Sequence, residues 1–232
     1  MDNPLQPPED RHALENLLVH AKFFIRSLIG EIEDALPPGE GVLLSAPLVR
    51  LLMQRWMIPA EAALRRFILL LASTLTLAPR RVLARPDGSP APAEDKPPAA
   101  RKPAPRAPVF SMKEPQPRPK TGTPTEGPRL PRPQASPARP ANPALAAAAR
   151  TEKFLNRLDA LVFAMADPVR EAKRWLRRQA RAHTETGAPA PLPLAFDTIP
   201  GLQKELGAEG IGLMQSLNAA ALATLPPRPD TS

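Results

Sequence analysis

The 232-residue chain contains no cysteine and no tyrosine, and these absences narrow its chemistry before any motif is considered. Without cysteine, the chain has no disulfide, no thiolate metal site and no cysteine nucleophile. It has only two tryptophans and seven phenylalanines, so the aromatic platforms that stack on single-stranded nucleic acid are poorly supplied. Sequence-specific reading of RNA is therefore not expected.

Residues that usually carry catalysis are equally sparse. Histidine occurs only as His12, His20 and His183. Glu9 and His12 form one Glu-x-x-His spacing, whereas a di-iron bundle needs two such pairs and two further carboxylates. A glycine-rich phosphate loop and a nucleophile elbow are both missing from the sequence. The chain is therefore predicted to be non-enzymatic, with no catalytic residues, no cofactor and no metal.

Signals for export or membrane insertion are weak. The first ten residues lack the basic region and apolar run of a secretory signal, which favours a cytoplasmic location. The uncharged run from Phe67 to Ala78 would reach about 18 Å as a helix, short of the ~30 Å hydrocarbon core of a bilayer. We expect this run to be buried in a bundle, or in self-association through the apolar helices of residues 10–78. An interfacial helix flanked by arginines, and hence membrane association, is the alternative.

Proline, in contrast, is abundant and unevenly placed. Residues 86–143 hold 18 of the 34 prolines and few large apolar side chains, which is typical of an extended, disordered linker. The predicted fold is all-α, with two small helical segments separated by this long disordered Pro-rich linker. The predicted divisions are a disordered start (1–9), an apolar helical bundle segment (10–85), the linker (86–143), a kinked basic amphipathic helical segment (144–183), a Pro-rich connector (184–195), short apolar helices (196–225) and a disordered end (226–232).

One apolar island interrupts the linker at residues 109–112, and it holds the linker's only phenylalanine and methionine. An aromatic anchor in an extended Pro-rich frame can fill a partner's pocket at low ordering cost. Phe110 and Met112 are therefore candidate partner-binding residues. The alternatives are an accidental cluster and a strap that folds back on the N-terminal segment. A PxxP match at residues 128–133 carries little weight in a chain so rich in proline.

The N-terminal segment shows three helix patterns. Its first apolar residues recur at alternating spacings of four and three, which predicts one helix that ends before Pro37. Ser45 is a predicted N-cap for a second helix, and Pro59 is predicted to open or kink a third, in which Glu61 can pair with Arg65. The stripe of the first helix consists of Leu14, Leu18, Ala21, Ile25, Leu28, Ile32 and Ala35.

A cationic helix is the most distinct surface feature of the C-terminal segment. Asp167 followed by Pro168 is typical of a cap and helix start, so a corner is expected there. In the next helix the cations fall within an arc of about 140°, opposite an apolar side. A solvated surface, a polyanion site and a membrane interface are three open interpretations, and Trp175 could be an interfacial side chain or a core anchor. The candidate partner-binding residues here are Arg170, Lys173, Arg174, Trp175, Arg177, Arg178 and Arg181.

The charge distribution completes the functional prediction. The net charge is +8, and the excess lies in the linker and in the helix that follows it, which favours an acidic partner. The tail after residue 195 carries glycines at 207–212, which predict two short hinged helices. We predict a non-enzymatic adaptor or scaffold that binds an unknown protein partner through helical modules joined by a flexible linker. The alternative is a peripheral binder of an anionic membrane surface or nucleic acid through the basic helix.

Overall fold

The computed structural model describes residues 8–39, 41–75, 109–114, 142–186 and 194–224. Within these residues the protein is helical and has no strand, which confirms the predicted all-α class. The predicted disorder over residues 1–7, at the C-terminus and over most of 86–143 falls outside the described residues, whereas Pro8 and Glu9 of the predicted disordered start belong to a helix. The helices are α1 (Pro8–Ala35), α2 (Ala46–Leu52), α3 (Ile58–Thr74), α4 (Pro143–Ala166), α5 (Pro168–Thr186) and α6 (Gly207–Ala223), with a π-helical turn (Met53–Met57) before α3 and a 3-10 turn (Lys204–Leu206) before α6.

Helix α1 packs through the stripe that its sequence predicts. Ala21, Ile25 and Ile32 are fully buried, and Leu28 is nearly so. Leu14 and the other ends of the stripe are partly buried against the same core. The helix ends at Ala35, two residues before Pro37, as expected from the restriction that proline places on the residue before it.

Helices α2 and α3 form a continuous helical stretch with a π-helical turn between them. The Ser45 hydroxyl accepts a hydrogen bond from the Leu48 amide at 3.4 Å, which confirms Ser45 as the N-cap. Pro59 lies in the first turn of α3 and has no N–H to donate. The amide of Ile58 donates to the Met53 carbonyl, an i→i+5 bond, so the hydrogen-bond ladder widens immediately before the proline.

Helix α3 lies at the centre of the molecule and is buried on nearly every side. It packs against α1, α5 and α6, and the first part of the uncharged run, Phe67, Ile68, Leu69, Leu70 and Ala72, is buried, whereas residues 76–78 of the run lie outside the described residues. In the part of the chain that the structure describes, no helix is both long and apolar enough to cross a bilayer. The burial of α3 within one bundle agrees with the first of the two expectations for this run.

The N-terminal and C-terminal helical segments share one hydrophobic core although the linker separates them in sequence. Helices α5 and α6 pack on α3, and α4 packs on α2. The Leu44 amide, just before α2, donates a buried hydrogen bond of 2.9 Å to the Thr151 hydroxyl of α4. The two predicted segments therefore form a single composite bundle in the described residues.

The corner between α4 and α5 is built as predicted. Asp167 terminates α4, and its side-chain Oδ1 accepts a hydrogen bond from the Arg170 amide at 3.0 Å. Pro168 follows as the first residue of α5. This cap sets the direction in which α5 leaves the corner and packs on α3.

The tail agrees with the predicted hinge only at Gly207, whose φ of +69° separates the 3-10 turn from α6, because α6 then continues as one helix through Gly210 and Gly212. Gly210 serves close packing, since a Cβ there would lie 3.2 Å from the ring of Phe24. A second glycine, Gly201, has a φ of +76° in the loop before α6, and its Cα passes so close to Pro59 that an added Cβ would lie 2.6 Å from the proline nitrogen. Burial against neighbouring elements therefore outweighs the low helix propensity of glycine here.

Candidate functional site

The cationic face of α5 lies on the outer surface of the bundle. Arg170 and Arg174 have side chains that are 47% and 38% exposed. The remaining four cations of the helix are also exposed, and all six lie on the side of α5 opposite its buried residues. These four are Lys173, Arg177, Arg178 and Arg181.

One buried carboxylate organises the beginning of this face. Glu171 is nearly covered, and its two oxygens lie 3.5 Å from Arg170 and 3.4 Å from Arg174. The Arg170 guanidinium also lies 4.4 Å from the ring centroid of Phe163, a cation–π arrangement. Within the described residues the other four cations make no ion pair, so most of the face has its charge available.

Trp175 lies on the opposite side of α5 and is only 8% exposed. Ala172, one turn earlier, is fully buried on the same side. Trp175 is therefore a core anchor against the bundle, and the interfacial position considered for it in a membrane is not the one it has here. The outward side of the helix is left with polar and cationic side chains.

The apolar island of the linker is also in the core. Residues 109–114, which we call the strap, run in extended form over α3, with Phe110 and Met112 only 5% and 6% exposed. The Arg65 Nε donates to the Ser111 carbonyl at 3.0 Å, and the Arg65 guanidinium lies 5.3 Å from the Phe110 ring centroid. Phe110 and Met112 are thus covered by the protein itself and present no surface to a partner in this arrangement, because burial on α3 removes their apolar area from water.

The end of the strap enters a buried polar network around Arg66. This guanidinium is fully buried, and its Nη1 lies 2.6 Å from the Glu114 carboxylate. It also donates to the Ala195 carbonyl and to the Asn218 side chain, each at 2.8 Å. The second oxygen of Glu114 accepts from the Ala195 amide at 2.7 Å. One arginine therefore joins α3, the strap, the segment before α6, and α6 itself.

A second network surrounds Glu61, one turn before Arg65. Glu61 pairs with Arg65 at 2.8 Å, which confirms the predicted i,i+4 pair, and it also receives two hydrogen bonds from Arg157 of α4. Burial acts to raise the pKa of Glu61, but the hydrogen bond from Arg157 and the two nearby guanidinium charges outweigh it, so its pKa lies below the ordinary value. The same hydrogen bond raises the pKa of Arg157. Glu61 is therefore held ionised between two arginines.

The polar groups of these two networks are fully hydrogen-bonded to one another. Each carboxylate is saturated by guanidinium or amide donors, and no buried side-chain nitrogen or oxygen of the described residues lacks a partner. Among those residues there is also no group of three or more His, Asp or Glu placed to hold a metal ion. The arrangement thus fixes the positions of helices, while the cationic face of α5 is the charged surface that remains open.

Sequence reasoning missed the buried network, although one signal for it was present. Phe110, Met112 and Glu114 alternate with exposed residues, which is the period of an extended segment with one side buried. A carboxylate at the third inward position indicates a cationic partner beneath it. Nothing in the pattern of α3 marks Arg66 as buried, since adjacent arginines are usually solvated.

Comparison with protein-family models, with curated proteins and with solved structures finds no match for this chain. The surface of the protein itself is therefore the basis for a proposal about its function.

Proposed function

We propose that this protein is a non-enzymatic binding protein that uses the cationic face of α5 to bind a polyanion, with duplex nucleic acid as the polyanion. The observation that carries the proposal is the exposure of six cations on one helix face, four of them without an ion pair in the described residues. Such a face attracts phosphates without regard to base sequence.

The composition of the face favours phosphate binding. Five of its six cations are arginines, whose planar guanidinium can bind a phosphate through two hydrogen bonds. From Arg170 to Arg181 the helix spans about 17 Å, which covers about five base-pair steps of duplex at 3.4 Å each. The face is thus long enough to contact several successive phosphates.

A membrane surface fits the face less well. Helices that lie in a bilayer interface insert an apolar side with Trp, Phe or Leu between the lipids. In α5 that side is used internally, with Trp175 and Ala172 buried against the bundle. The outward positions between 170 and 181 offer charge without a large apolar group to insert.

The adaptor hypothesis stays a prediction, but two of the features that supported it are absent from the described residues. It relied on separate modules and on accessible anchors at Phe110 and Met112, whereas the described helices share a core and both anchors are buried. Our proposal therefore places the partner contact on α5 and assigns the strap a structural role.

Fluorescence anisotropy with a labelled 20-base-pair DNA duplex tests the proposal. If the face contacts four phosphates, log K falls against log salt with a slope of about −3.6, so affinity drops about 150-fold between 50 and 200 mM salt. Arg177→Ala combined with Arg178→Ala removes two contacts, and the slope becomes shallower by about 1.8.

Arg26→Ala combined with Arg50→Ala is the matched control, because both arginines are exposed but lie away from α5. The control is expected to bind as the unaltered protein does. Equal loss of affinity in both double variants, or no binding to the duplex at low salt, would refute the proposal. Binding to vesicles of anionic lipid in the absence of DNA binding would replace nucleic acid with a membrane surface.

A further inference from the structure

A second open surface lies on a different side of the bundle. It is a cleft of about 880 Å³ between α1, the π-helical turn and the start of α6. Its apolar wall includes Phe24, Trp56 and Leu213, all partly exposed. Its rim carries three exposed glutamates, which are Glu31, Glu205 and Glu209. We call this surface the acidic cleft.

The charges of the acidic cleft are largely uncompensated. None of the three glutamates forms an ion pair within the described residues, and Arg55 is the arginine among the lining residues. The Arg55 guanidinium lies 5.0 Å from the ring centroid of Trp56. The indole therefore already carries one guanidinium, that of Arg55, while the glutamates of the rim can pair with further ones.

A surface with aromatic side chains next to carboxylates is suited to bind an arginine-containing segment in the polyproline II conformation. Prolines pack on the aromatic surface in a backbone form that needs little further ordering, while arginines reach the carboxylates. We propose that the acidic cleft binds residues 128–133 of the same chain, Pro-Arg-Leu-Pro-Arg-Pro. Arg129 and Arg132 would pair with the glutamates, and Leu130 would supply an apolar contact that the other Arg/Pro-rich stretches of the linker lack.

The connection lengths allow this contact. Glu114 is bonded to Arg66 and through it to Asn218, and Asn218 lies nine residues, about 14 Å, along α6 from Glu209. Fourteen residues from Glu114 to Pro128 reach about 43 Å in polyproline II form. The nine residues from Pro133 to Asn142 can span about 30 Å, close to the diameter of a small domain.

The PxxP spacing alone carried little weight because so much of the chain is proline. It gains weight from the fold, which places in one cleft a tryptophan and three glutamates that have no ion pair with any described residue, on a protein whose linker is cationic. Charge complementarity and chain length together select an occupant within the same molecule, where the effective concentration is in the millimolar range for a short flexible linker.

The first test follows the indole N–H signal of Trp56 by NMR in the full chain. The variant Arg129→Glu with Arg132→Glu is expected to move this signal, while the Trp175 signal stays in place. The control, Arg101→Glu with Arg106→Glu, makes the same charge change elsewhere in the linker and is expected to leave both signals unchanged. Identical Trp56 signals in the two variants and the unaltered protein would overturn the proposal.

The second test adds a synthetic peptide of residues 126–135 to the full-length Arg129→Glu, Arg132→Glu protein, in which the internal segment is disabled. Binding is expected there and about tenfold weaker in the unaltered protein, because the internal segment competes. Glu205→Gln with Glu209→Gln in the disabled background is expected to weaken peptide binding about tenfold. Glu152→Gln with Asp159→Asn, on exposed positions of α4, is the control.

Three outcomes of these measurements contradict the proposal. In the first, none of the proteins binds the peptide, and in the second, the peptide binds equally well whether the cleft glutamates or the α4 acids are changed. A Trp56 shift that depends on protein concentration, with a dimer in sedimentation, would assign the cleft to a second copy of the chain instead.

Discussion

The arginines of α3 are buried, whereas those of α5 are exposed to solvent. Arg65 and Arg66 are 4% and 0% exposed, and each bonds to a carboxylate and to at least one backbone carbonyl, with some of these acceptors one turn away and others in distant parts of the chain. Arg177 and Arg178 are exposed and lack an ion pair in the described residues. The first pair joins elements of the bundle, whereas the second leaves its charge for a partner.

The difference shows that the role of two adjacent arginines depends on whether acceptor groups of the same protein surround them, and not on the density of charge in the sequence. Removing the acceptor of a buried guanidinium leaves an uncompensated charge in a low-dielectric environment, which is strongly destabilising. Removing an exposed guanidinium changes the folded state little and mainly changes binding. The two pairs therefore make opposite predictions for stability and for association.

The largest effect is expected for Glu114→Ala, because it leaves the fully buried Arg66 without its carboxylate. We expect the free energy of unfolding to fall by about 4 kcal/mol, as for other broken buried ion pairs. Urea denaturation followed by circular dichroism measures it. Lys113→Ala, an exposed neighbour in the strap, is the control, and equal stability of the two variants would contradict the buried network.

Phe110→Ala is expected to cost somewhat less, about 3 kcal/mol, through the loss of a buried aromatic side chain and its contact with Arg65. The same urea denaturation applies, with Val109→Ala as the control because Val109 is exposed. If Phe110 were instead an anchor for an external partner, its removal would leave the stability of the isolated protein unchanged and would abolish capture of that partner.

The Glu61 network predicts a dependence of stability on pH. Because the pKa of Glu61 is lowered in the folded protein, its ionisation stabilises the fold above its ordinary pKa of about 4.5, and this contribution is lost as the pH falls through the lowered pKa. Unaltered protein and Glu61→Gln should therefore differ most near pH 7 and converge in acid. Urea midpoints from pH 7 to 2 measure the difference, and a constant gap would contradict the assignment.

The smallest effect on stability is expected for Arg177→Ala with Arg178→Ala. We expect the free energy of unfolding to change by less than about 0.5 kcal/mol, because both side chains are exposed. The same variant should show the shallower salt dependence of DNA binding described above. A large loss of stability would mean that these arginines belong to the bundle in the manner of Arg66.

Local patterns predicted much of the fold. The α1 stripe, the Ser45 cap, the Glu61–Arg65 pair and the Asp167 corner all depend on residues within one or two turns, so periodicity and capping rules identify them. The cationic arc of α5 was visible for the same reason.

The remainder depends on contacts between residues far apart in the chain. The Arg66–Glu114 pair joins residues 48 positions apart, and no periodicity relates them. Composition favoured an unstructured linker throughout 86–143, yet the strap within it is buried because Phe110, Met112 and Glu114 find partners on α3. At Gly210 the sequence predicted a hinge, whereas the structure has a continuous helix in which the missing side chain leaves room for Phe24.

The bond between Arg66 and Asn218 also has a consequence for synthesis. These residues are 152 positions apart, so at about 5 to 20 residues per second the ribosome needs about 8 to 30 s to make the second partner after the first. Until α5 and then α6 have been made, the apolar faces of the nascent α3 on which they pack have nothing to cover them. Expression of residues 1–85 alone, which leaves α3 without α5 and α6, should therefore yield aggregates.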